Sequence, residues 1–134
     1  PILPLVMYLT AGERTIKIKK TGGLNSKFYV FDEKDQLLCV YQSDSYIKYS
    51  YTISDELGNQ VAILRNKGSL ERFAVEKGEQ SLIIIQTGGI PREAMELFGN
   101  IEGDIIDIDR EHVDEELFLK LIASPIIVRL TNRR

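Results

Sequence analysis

What this chain has little of narrows its chemistry first. Its 134 residues hold one cysteine, Cys39, and one histidine, His112. A lone cysteine forms no internal disulfide, which fits a reducing compartment or a cytoplasmic face. Cys39 lies in an apolar run and reads as a buried, inert thiol. Nothing in the sequence links His112 to it as the base that a nucleophile needs. Positive charge is not in excess: 17 Lys and Arg stand against 20 Asp and Glu, a net charge of −3. Bulk electrostatics therefore draw the chain to neither nucleic acid nor an anionic membrane, and only a local basic patch would do so. No phosphate-loop or dinucleotide spacing is present, and "TGG" at 21–23 and 87–89 reads as turn material. The opening stretch "PILPLVMYL" lacks a basic leader and is interrupted by two prolines. It argues against a signal peptide or membrane span and for an edge strand or a segment packed on the core.

What is present is β-structure. A hydrophobic fraction of 43% and a charged fraction of 28% suit one globular domain. "TIKIKK" alternates, with Ile16 and Ile18 facing one way and Lys17 and Lys19 the other, as on a half-buried strand. Two later stretches then share a grammar, "FYVFDEKDQLLCVY" at 28–41 and "YTISDELGNQVAIL" at 51–64. Aligning Asp32 with Asp55 brings Val30 onto Ile53, Leu38 onto Val61 and Val40 onto Ile63. Each is predicted to be a hairpin whose Asp bonds local amides, with Gly58-Asn59 supplying left-handed backbone. The second hairpin is given a start as early as Tyr46. "RFAVEKGEQSLIIIQ" predicts a third, whose leaving run is apolar at every position and so covered on both faces. Residues 92–98 fit helix or strand, with helix preferred on propensity. "DIIDIDRE" predicts a strand with Ile106 and Ile108 on one face. Residues 114–123 predict a helix capped by Asp114 and apolar almost all round, hence buried. Pro125 is expected to end or kink it, with "IIVRL" a short strand or a further turn of apolar contact.

The predicted fold class is mainly β: an antiparallel meander closed or curved into a barrel around a buried C-terminal helix. The hairpins "YVFDEKDQLLCVY" and "YTISDELGNQVAIL", followed by the apolar "LFLKLIASPIIV", resemble the tubby C-terminal-like superfamily. Its members include tubby proteins, phospholipid scramblases and plant LURP-one-related proteins. The resemblance covers roughly residues 15–130 and implies that 1–134 is a single such domain with an incomplete N-terminal part. It implies lipid-related work without enzymatic activity: tubby domains bind phosphoinositide headgroups through basic barrel residues, and scramblases act at membranes. An anionic phospholipid is thus the expected partner, at a peripheral membrane position in the cytoplasm. The alternative is a protein-interaction or structural domain, such as a homodimer, with no small-molecule ligand.

The local candidates for headgroup phosphates are Lys17, Lys19 and Lys20, with Lys27 soon after. Lys17 and Lys19 lie about 7 Å apart by strand rise. Arg65 and Lys67 join them if neighbouring strands bring them close. The bland reading of the lysines is a solvated face guarding a sheet edge. Asp104, Asp107, Asp109 and Glu111 offer oxygen ligands of the kind Ca²⁺ takes, but EF-hand spacing is absent and a solvated strand face is the simpler reading. Tyr46, Tyr49 and Tyr51 with Lys48 interleave aromatic and basic residues, a pattern that binds single-stranded nucleic acid, although tyrosine is also a good strand residue. No catalytic, metal or cofactor site is expected.

Overall fold

The computed structural model describes residues 5–22, 26–44, 49–68, 71–87 and 105–132. These form a meander of nine antiparallel strands, each paired with its sequence neighbours, in the order β1 to β9. The strands are β1 (Leu5–Ala11), β2 (Arg14–Thr21), β3 (Lys27–Phe31), β4 (Leu37–Ser43), β5 (Ser50–Asp55), β6 (Gln60–Asn66), β7 (Arg72–Lys77), β8 (Gln80–Gln86) and β9 (Ile105–Ile108). Two helices follow, α1 (Glu115–Leu121) and α2 (Ser124–Asn132). Among the described residues β1 and β9 do not pair, so the sheet is open at both edges. The helix or strand expected at 92–98 lies outside the described residues.

Alternation decides which face of the sheet is dry. Ile16 and Ile18 of β2, Phe28 and Val30 of β3, Cys39 and Tyr41 of β4, and Tyr51 and Ile53 of β5 are all buried. With Ala62, Leu64, Phe73, Val75, Ile83 and Ile85 they form one core with Leu121, Ala123, Ile127 and Val128 of the C-terminal segment. The apolar run of β8 is buried at Leu82, Ile83 and Ile85, with Ile84 half-buried, as its composition implies.

The aligned hairpins match bond for bond. In the β3–β4 turn the Asp32 amide donates to the Gln36 carbonyl, and Asp32 Oδ1 accepts from the amides of Lys34 and Gln36 at 2.8 and 2.9 Å. In the β5–β6 turn the Asp55 amide donates to the Asn59 carbonyl, and Asp55 Oδ1 accepts from Leu57 and Asn59 at 3.0 and 2.9 Å. Asp35 and Gly58 occupy the same left-handed position, at φ 59° and 88°. Both entering strands shift register at equivalent places, Val30/Phe31 and Ile53/Ser54.

The helical segment decides between the two readings of residues 126–130. They are not a strand but further turns of apolar contact, the body of α2, with Ile127 and Val128 buried. The chain breaks helix at Ile122–Ala123 and resumes with Pro125 in the first turn, where a missing N–H costs nothing. The carbonyls freed by the break are satisfied. Lys120 O accepts from Tyr41 Oη at 2.8 Å and Cys39 Sγ at 3.3 Å. Leu121 O accepts from the buried Ser124 hydroxyl at 2.7 Å. Asp114 caps α1, its side chain accepting from the Leu117 amide at 2.8 Å. In the second hairpin β5 begins at Ser50, after Tyr49, which is left-handed at φ 61°; the expected start at Tyr46 lies outside the described residues.

Candidate functional site

The cations singled out in sequence fall into three places. Lys17 and Lys19 share the outer face of β2, opposite Tyr8 and Val6 of β1 and beside Phe31 and Tyr29 of β3. Lys27, on the same face of β3, pairs with Thr21, one step along β2 from Lys19. These three form a basic patch. Lys17 is engaged: it donates to Asp35 Oδ1 at 2.7 Å, its ammonium lies 4.9 Å from the Phe31 ring centre, and the aspartate raises its pKa. Among the described residues Lys19 and Lys27 have no ion-pair partner.

Arg65 and Lys67 do not join this patch. Strands β3, β4 and β5 separate β6 from β2. Both cations turn instead to Glu76 of β7, at 3.7 and 3.0 Å. Lys20 is separated in a different way. It stands one residue beyond Lys19, so alternation turns it to the inner face, where it pairs with Leu5 and the buried Phe28.

The outer face of β1–β2 also carries residues that sequence reading missed. Tyr8 is 71% exposed and Val6 44% exposed, beside Lys17 and Lys19 respectively. The signal was available: even positions of β1 oppose odd positions of β2 once the two strands are recognised as a hairpin.

Lys20 opens onto a cleft of about 280 Å³ where the ends of β2, β4 and α2 meet the starts of β3 and β5. Its walls include Ser43, Ser50, Tyr49, Asp44 and Thr131. Tyr51 and Thr131 close its floor with a 2.6 Å hydroxyl–hydroxyl bond. This position of Tyr49 and Tyr51 removes them from a nucleic-acid platform, since Tyr51 is buried and Tyr49 half-buried; Tyr46 and Lys48 lie outside the described residues.

The acidic run resolves into a turn. Asp107 is on β9, whereas Asp109 and Glu111 follow it, and Asp104 lies outside the described residues. Asp109 Oδ1 accepts from the Glu111 amide at 3.1 Å. Its Oδ2 meets His112 Nδ1 at 2.9 Å and accepts from Gln80 Nε2 at 3.2 Å. Asp109, Glu111 and His112 bring ligand atoms within 4.8 Å of one another. The bonds to His112, chiefly, hold the Asp109 carboxyl below its ordinary range. They also account for the cluster as a helix-leading turn.

Cys39 is buried and desolvation pushes its thiol up to about 12, so it is no nucleophile at neutral pH. No described helix is long and apolar enough to cross a membrane. No protein-family model, curated protein or solved structure matches the chain.

Proposed function

We propose that this chain is a non-enzymatic binding module whose β1–β3 outer face meets an anionic phospholipid surface. The observation that carries the reading is the juxtaposition of exposed Tyr8 and Val6 with Lys17, Lys19 and Lys27. Tyrosine suits the headgroup level, with an apolar ring and a wet hydroxyl. Each lysine near an anionic leaflet adds about 1 kcal/mol. The overall charge of −3 then keeps the rest of the surface away and orients the domain.

The same proposal includes the tubby-like architecture, a sheet curved around its C-terminal helices. Supporting it, the inner faces of β2 to β8 share one core with α1 and α2. Laid flat, those strands would span roughly 30 Å, against about 10 Å for a helix, so curvature lets so little helix cover so much sheet.

Co-sedimentation with phosphatidylglycerol vesicles tests the function. Recovery should be high at low salt, fall as salt rises, and drop severalfold in a Lys19→Glu/Lys27→Glu variant. No recovery, or recovery indifferent to that variant, overturns the reading. A second reading is a protein partner on the same edge, such as another copy of the chain. It is favoured by Leu5 and Val6, each 44% exposed on opposite faces of uncharged β1. A mass that rises with concentration in light scattering, without vesicle recovery, would select it.

A further inference from the structure

The inner-face lysine points to a second site, independent of the membrane reading. We propose that the cleft at the end of the sheet binds a phosphate monoester of a small polyol, with Lys20 as its cation.

Lys20 is half-buried on the core side of β2, and its ammonium has no carboxylate or hydrogen-bond partner among the described residues. A lysine so placed lays its stem along the apolar surface and keeps its ammonium in the cleft, free to meet an anion there. Ser50 reinforces the point. It is 4% exposed, lines the same cleft, and its hydroxyl has no hydrogen-bond partner among the described residues. Buried hydroxyls in native proteins are nearly always bonded, so an unpaired one beside a cavity marks a place where a partner is missing. Ser43, on the inner face of β4 opposite Tyr51, adds another hydroxyl to the wall.

One ammonium with neighbouring hydroxyl donors matches a tetrahedral oxyanion, which accepts several hydrogen bonds at once. The volume, about 280 Å³, exceeds what a bare phosphate fills and leaves room for a short carbon chain. The negative charge of Asp44 on the wall opposes a second anionic group, so the remainder of the ligand carries hydroxyls rather than charge. Tyr49 contributes the third observation. A tyrosine at φ 61° is a conformation bulky side chains seldom adopt, and such strain gathers where a ligand is clamped.

The test is a ¹H–¹⁵N titration of the chain with sn-glycerol 3-phosphate. Shifts should concentrate at Ser43, Ser50 and Thr131. A Lys20→Met variant with an unchanged melting temperature should bind at least about 10-fold more weakly, the loss expected for one charged hydrogen bond. The Lys19→Glu/Lys27→Glu variant should bind as the parent does. Vesicles bearing phosphatidic acid present the same monoester on a lipid. Recovery that falls in Lys20→Met identifies a lipid source, and recovery that does not fall while the soluble ester still binds identifies a free metabolite. Absence of shifts at millimolar ester overturns the proposal, as does equal affinity in Lys20→Met or shifts that follow Lys19 and Lys27. Phosphatidylglycerol carries only a diester, so its recovery is expected to be unchanged in Lys20→Met, which keeps failure of this site distinct from failure of the membrane reading.

Discussion

Glu33 shows how a residue that looks like acidic chemistry acts as structure. Its carboxylate takes Arg14 Nε at 2.8 Å and Nη2 at 3.2 Å, and the Thr15 amide at 3.2 Å. Chiefly the Arg14 bonds, and then backbone amides, hold its pKa at about 2. The folded state therefore prefers the ionised carboxylate more than the unfolded chain does. The stability this contributes is present above the ordinary carboxylate range and is lost as pH falls from there toward 2. Glu33→Gln should shrink the acid-induced loss of stability between pH 5 and pH 2 and leave the slope above pH 6 unaltered. Urea midpoints measured against pH check this. Both side chains stay partly exposed, so the effect is modest at neutral pH and weakens with salt.

At the scale of the element, the two aligned hairpins are a natural swap experiment. They use the same Asp acceptor and the same left-handed site, filled by Asp35 in one and Gly58 in the other. A Cβ at Gly58 would meet nothing within 4 Å, so Gly58→Ala costs backbone strain alone, about 1 kcal/mol. Asp35→Gly relieves that strain and gives up an exposed bond to Lys17, a near-balanced exchange. Asp55→Ala removes the carboxylate oxygen that accepts from two backbone amides and should cost about 1–2 kcal/mol. Denaturant unfolding should place Asp35→Gly nearest the parent, then Gly58→Ala, then Asp55→Ala; equal losses in all three would break the equivalence of the turns.

These turns were legible in sequence because their chemistry is local: Asp, Gly and the flanking alternation lie within a few residues of one another. The C-terminal element was legible only in part. Pro125 marked the helix break, yet Ile126, Ile127 and Val128 carry strand propensity, and their helical state is set by burial against the sheet. The break is also sealed from afar, by Tyr41 and Cys39 on Lys120 O, which no local pattern announces.

For the whole molecule, the candidate sites depended on faces rather than motifs. "KIKK" reads as one basic cluster, but alternation sends Lys19 and Lys20 to opposite sides of the sheet. The outer patch needed the β1–β2 register to bring Tyr8 to Lys17. The cleft needed four strand ends and the end of α2, whose residues lie far apart in the chain. Arg65 and Lys67 were displaced from the group for the same reason, since a meander places β6 well away from β2 and Glu76 is at hand.

The central claim is that the Tyr8 face enters an anionic interface. The chain contains no tryptophan, so Tyr8→Trp introduces a single reporter on that face. Its emission should shift to the blue with phosphatidylglycerol vesicles, reverse at high salt, and stay unmoved with phosphatidylcholine vesicles. An emission maximum that does not move with phosphatidylglycerol, or that moves equally with both lipids, would contradict the account.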